Sequence, residues 1–152
     1  MYTVGALVQS NFGRTADLMI GGRPVGERIA AKLREEQAQT DKGSIMIVLG
    51  TDVPLSELQL GRILRRAAVG LARTGSFIGH GSGDVVIGFT TANRYRRDDG
   101  SFRTVQAVND RHMDALFRAA AESVEEAVLN SMTAADRVGD RRSMNEFLPE
   151  CL

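Results

Sequence analysis

The sequence predicts a mixed α/β fold, on three observations. Ile45-Met46-Ile47-Val48-Leu49 and Val85 to Thr90 are unbroken apolar runs of strand length, the pattern of strands buried on both faces. Leu60, Ile63, Leu64, Ala67 and Leu71 recur between them at helical spacing. Met113, Leu116, Phe117, Ala120, Val124, Ala127 and Val128 form a longer helical stripe. Two helices should therefore cover a sheet, with Ile47, Val48, Leu64, Val86, Phe117 and Val124 buried between them.

Taken in order, Tyr2 to Gln9 is rich in β-branched and apolar residues and runs into Ser10-Asn11-Phe12-Gly13, so it reads as a strand entering a loop. Ala16 to Ile20 is a second short run closed by Gly21-Gly22, and it is expected to pair with the first. Glu27 to Gln39 is made of helix formers but carries few apolar anchors (Ile29, Ala30 and Leu33), which fits a surface helix or a linker. Ser56 with Gln59 has the form of a capping box opening a helix to about Ala72. Thr74 to Gly83 holds four glycines and two serines, the composition of a loop with free backbone N–H groups. Asn93 to Gly100 reads as a turn with three solvated arginines. Asn109 or Asp110 caps the long helix, and Asp136 to Ser143 is a surface tail.

The composition bounds the function. With 152 residues, 43% hydrophobic and 25% charged, residues 1–152 fit one compact domain. Nineteen basic and nineteen acidic side chains cancel, so no field gathers nucleic acid or an anionic bilayer. The apolar runs fall far short of the roughly 20 residues that cross a membrane. The start of the chain does not read as an export signal, and the single cysteine, Cys151, has no partner for a disulfide. A reducing, cytoplasmic setting is the expectation.

Gly43-Ser44, directly before a buried strand, sets a hydroxyl at the edge of the core behind a residue with no side chain. The Ser44 hydroxyl can add to the Gly43 carbonyl and shift the acyl group from nitrogen to oxygen, leaving an ester that water hydrolyses. The α-amino group thus freed on Ser44 would have an unperturbed pKa of about 7.7–8.0 and could move protons for the same hydroxyl. Further on, Gly79-His80-Gly81-Ser82-Gly83-Asp84 holds a hydroxyl and a carboxylate two residues apart, able to share one face. Beside Ser44, Ser82 would relay a hydrogen bond and Asp84 would hold the ammonium or orient the relay. Spacing alone does not separate this from an ordinary glycine-rich turn. A nucleotide-binding reading is disfavoured, because Asp84 stands where G-x-G-x-x-G needs its third glycine and no helix follows the loop. His80 stands alone in its loop and His112 lies in the long helix, so neither suggests a metal, and no cofactor is implied.

Five segments resemble the L-aminopeptidase/D-esterase family, the DmpA-like proteins that include the β-peptidyl aminopeptidases. They are Val8-Gln9-Ser10-Asn11-Phe12-Gly13, Gly43-Ser44-Ile45-Met46-Ile47-Val48, Leu71-Ala72-Arg73-Thr74-Gly75, Gly81-Ser82-Gly83-Asp84 and Phe89-Thr90-Thr91-Ala92-Asn93, in the family's order. Leu116-Phe117 through Leu129-Asn130 is similar to the family's last helix. The resemblance implies an α-β-β-α sandwich of the DmpA/ornithine acetyltransferase type, self-cleavage between residues 43 and 44, and hydrolysis of N-terminal residues from short peptides, amides or esters. It implies Ser44 as nucleophile, Ser82 and Asp84 as its assistants, and Asn11 as an oxyanion donor. It also implies a homo-oligomer. The chain corresponds to the family's C-terminal portion. The longer segment that family members carry before it, with an active-site tyrosine and much of the pocket, has no counterpart in Tyr2 or Tyr95. The alternative expectation is a non-catalytic fragment or interaction module that keeps the fold.

Overall fold

The computed structural model describes residues 1–32, 43–98, 100–139 and 143–150. Its centre is a three-stranded sheet with β4 (Ser44–Thr51) in the middle, β1 (Val4–Asn11) antiparallel on one side and β5 (Gly83–Thr90) parallel on the other. Both ladders are in full eight-residue register, from Val4 opposite Thr51 to Asn11 opposite Ser44, and from Ser44 opposite Gly83 to Thr51 opposite Thr90. A parallel pair needs a long crossover. Here α2 (Glu57–Leu64) and α3 (Ala67–Arg73) supply it.

The capping box forms as the sequence suggests: Gln59 N–H donates to Ser56 Oγ and Ser56 N–H to Gln59 Oε1, each at 3.2 Å. The single helix expected from Ser56 to Ala72 is instead two, broken at Arg65-Arg66 where the Arg66 N–H turns tightly onto the Ile63 carbonyl at 2.9 Å. The long helix α4 (Met113–Thr133) lies against β1 and α3, entered by a 3-10 turn at Asp110–His112 that Asn109 caps. His112 is therefore the residue before α4 rather than one inside it.

The core fills one side of the sheet. Ile45, Ile47 and Leu49 of β4 are buried against Ile63, Ala67, Leu71, Met113, Ala120 and Val124. Val48, Val86, Leu64 and Phe117 are only partly buried. The expectation of strands buried on both faces is thus overturned. Helices cover one face alone, and on the other Met46 is 54% and Ile87 56% exposed. A continuous apolar run cannot reveal this by itself, because alternation is visible in sequence only when the open face is polar.

The segment after β1 also differs from expectation. Thr15–Asp17 is a 3-10 turn closed by an Arg14–Asp17 ion pair at 2.7 Å, and Met19–Ile20 (β2) pairs with Arg23–Pro24 (β3) instead of with β1. Gly21 and Gly22 both have positive φ, the backbone that a tight two-residue hairpin requires. Next comes α1 (Gly26–Lys32), a surface helix with Glu27, Arg28, Ala31 and Lys32 exposed and its apolar anchors Ile29 and Ala30 buried. Leu18, Val25 and Ile29 form a second core with Phe147 and Leu148, reached through 3-10 turns at Met144–Glu146 and Leu148–Glu150. The short apolar list for this helix reflected its size, and the tail that covers it lies far along the chain. The expected continuation through Leu33 to Gln39, and Cys151, lie outside the described residues. Among those described, no helix is long and apolar enough to cross a membrane.

Candidate active site

The open face of the sheet is a grid. Asn11, Ser44 and Gly83 make its first row, followed by Gln9, Met46 and Val85, then Leu7, Val48 and Ile87, then Gly5, Gly50 and Phe89. Alternation along each strand puts all twelve on one side. The hydroxyl of Ser44 is thus exposed at the edge of an apolar surface, flanked by Asn11 on one strand and by Gly83 on the other. A Cβ built on Gly83 would stand 3.2 Å from Ser44 Oγ, a tight contact, so a side chain there would crowd the hydroxyl.

Gly43 is confined more severely. A Cβ there would lie 2.2 Å from the Asn11 carbonyl oxygen and 2.3 Å from the Phe12 Cα, distances no real side chain tolerates. The chain enters β4 pressed against the turn that leaves β1. The Gly43 carbonyl accepts a hydrogen bond from the Gly83 N–H at 3.4 Å.

Ser82 Oγ donates to Asp84 Oδ1 at 2.8 Å, so the expected hydroxyl–carboxylate pair exists. Asp84 is level with Ile45, one step along from Ser44, and shares the helix-facing alternation of β5. All four sequence-selected residues gather at one end of the sheet. The structure joins them as two pairs, Asn11 with Ser44 across a ladder and Ser82 with Asp84 by a hydrogen bond. Among the described residues, no hydrogen bond links the Ser44 hydroxyl to Ser82 or Asp84.

The glycine-rich loop is braced from the Asn11 side. The Arg14 guanidinium lies 5.3 Å from the Phe77 ring centroid, and the Met19 N–H donates to the Thr74 carbonyl at 3.1 Å. Ile78 has φ +53°, a strained conformation for a β-branched residue. Sequence reading missed both, since neither an aromatic contact nor a backbone angle leaves a compositional trace. His80 and His112 are exposed, and His112 Nε2 accepts from Arg111 Nε at 3.1 Å. A cavity of about 220 Å³ lies beneath Asn11 to Thr15, walled by Phe12, Leu18, Val128 and Met132, but Ser44 is not in its wall.

A family model for peptidase family S58 matches residues 1–145. The chain belongs to this family. It is 38% identical over 148 residues to the β-peptidyl aminopeptidase of Sphingosinicella microcystinivorans, covering 89% of this chain and 37% of the relative. Among solved structures it resembles the L-aminopeptidase D-Ala-esterase/amidase of Ochrobactrum anthropi, with a TM-score of 0.81 and 43% identity, covering 91% of this chain and 38% of that one. That protein is described as a prototype of the serine aminopeptidases and a variant of the Ntn-hydrolase fold. A β-aminopeptidase of Burkholderia sp. matches with a TM-score of 0.79 and 36% identity, over 99% of this chain and 45% of that one. The DmpA-like resemblance and the α/β fold class therefore stand, and the S58 relatives are aminopeptidases. The chain spans less than half the length of each of these S58 proteins, which accords with a partial fold.

Proposed function

We propose that this S58 chain is the nucleophile-bearing portion of a serine aminopeptidase that cleaves itself between Gly43 and Ser44 and then hydrolyses N-terminal residues from short peptides, amides or esters. The observation that carries this reading is the seating of the Gly43–Ser44 peptide. Gly43 is packed where only glycine fits, and Ser44 presents its hydroxyl on an open face in one row with Asn11 and Gly83. Cleavage frees the Ser44 amine beside its own hydroxyl, and one residue then carries both nucleophile and base. The new ammonium forms one register step from Asp84, which with Ser82 is suited to hold it. Asn11 supplies an amide donor to the developing oxyanion.

Turnover on this reading needs the open apolar face covered, because water-exposed donors stabilise an oxyanion far less than enclosed ones. The portion of the relatives that this chain does not match is the natural cover, and the assembly is a cytoplasmic homo-oligomer. A second reading, an inactive fragment that keeps the fold as an interaction module, draws on the separation of Ser44 from the Ser82–Asp84 pair. Intact-mass measurement of the purified chain, beside hydrolysis of an amino-acyl amide, tests the choice. Masses for 1–43 and 44–152 support the peptidase. An intact chain without hydrolysis, even with the remaining family segment present, supports the module.

A further inference from the structure

Resting on the self-cleavage reading above, we infer that Gly83 is a catalytic group for that step, its main-chain N–H binding the oxyanion that forms on the Gly43 carbonyl. Two observations meet at this residue. Its N–H is the donor to the Gly43 carbonyl oxygen, the bond whose carbon Ser44 attacks. A Cβ on it would stand 3.2 Å from Ser44 Oγ, close enough to crowd the hydroxyl. One glycine thus touches the electrophile with its backbone and makes room for the nucleophile.

The chemistry follows from that placement. Ser44 Oγ adds to the Gly43 carbonyl carbon, and the carbonyl π electrons move onto oxygen, where the Gly83 N–H meets them. The C–N bond then breaks as the departing Ser44 nitrogen takes up the proton released by the hydroxyl. The product is an ester between Gly43 and Ser44 Oγ, and water hydrolyses it to a Gly43 carboxylate and a Ser44 residue with a free amine and free hydroxyl. At 3.4 Å the bond is long for a ladder contact, whose usual range is about 2.7–3.2 Å. A donor that serves a transition state is expected to sit at this kind of distance in the ground state and to shorten as charge grows on oxygen. Because β4 and β5 hold the N–H rigidly, no reorganisation is required when that charge appears. Asn11, on the opposite strand, is left for the oxyanion of substrate turnover.

Glycolic acid in place of Gly83 turns the Ser82–Gly83 amide into an ester and removes only the N–H. The expected result is self-cleavage slowed by at least about tenfold, in the range found for single oxyanion donors. The same ester replacement at Ile87, also in β5, should leave the rate within about twofold, which separates the oxyanion role from simple loss of a main-chain donor. Gly83→Ala keeps the N–H but crowds Ser44 Oγ, and it should also slow the cut while circular dichroism stays native. Equal rates for the glycolic-acid chain and the unaltered chain would overturn the inference and leave the self-cleavage reading standing. An unaltered chain that stays whole, alone and with the remaining family segment, overturns both.

Discussion

Asn11 and Ser44 face each other as the last pair of an eight-residue antiparallel ladder, on the open side of the sheet. The ladder holds the amide beside the hydroxyl through backbone pairing alone, with no direct side-chain hydrogen bond between them. Asn11→Ala should therefore leave the ladder and the fold intact, and on the proposed oxyanion role it should lower kcat for amide hydrolysis by roughly 10²–10³, the range for removing one such donor. Steady-state kinetics on the assembled enzyme measure it. A variant with unchanged kcat would remove Asn11 from the chemistry.

Gly43→Ala forces a methyl group into the space held by the Asn11 carbonyl and the Phe12 Cα. Both obstacles are backbone, so the chain entering β4 must move. We expect a loss of about 1–3 kcal/mol, the usual range for overpacking, in urea titrations, together with slower self-cleavage as Ser44 leaves its row. Unchanged stability would mean that the entry to β4 yields freely.

The two faces of the sheet should answer mutation oppositely. Ile47 is 1% exposed, and Ile47→Ala should cost about 2–5 kcal/mol. Ile87, in the neighbouring strand, is on the open face, and Ile87→Lys should change the stability of the isolated chain by less than about 0.5 kcal/mol while reducing its self-association. The same lysine should block assembly with the remaining family segment, as read by co-purification. If both substitutions cost the isolated chain alike, the open face is covered in solution.

How legible this was in sequence differs from element to element. β4, β5, α4 and the Ser56 cap were readable because each rests on local pattern: an apolar run, a 3.6-residue stripe, a capping box. The partner of β1 was not, since Ala16 to Ile20 looks as strand-like as Ile45 to Leu49, and only three-dimensional packing chooses β4. The open face was hidden for a related reason: Met46, Val85, Ile87 and Phe89 are apolar although exposed, so the alternation that marks a one-sided sheet is missing. At the site, chemistry and resemblance point to Ser44, Ser82, Asp84 and Asn11, whereas a main-chain N–H such as that of Gly83 carries no side-chain signature at all.

Ser44 and Asp84 should be separable by the order of events in which each takes part. Ser44→Ala, tested with the remaining family segment present, should abolish chain cleavage and hydrolysis together, because on the proposed mechanism one hydroxyl attacks Gly43 first and substrate afterwards. Asp84→Asn removes a charge whose proposed partner, the Ser44 ammonium, exists only once the chain is cut. Its Ser82 hydrogen bond at 2.8 Å can survive, because the asparagine side chain keeps an acceptor oxygen. Cleavage should therefore continue while turnover falls by at least about tenfold. Denaturing gel mobility reports the first event and release of an amino acid from its amide the second. A Ser44→Ala chain that still cuts or still hydrolyses would sink the nucleophile assignment, and an Asp84→Asn chain that fails to cut would move Asp84 from the turnover step to the self-cleavage step.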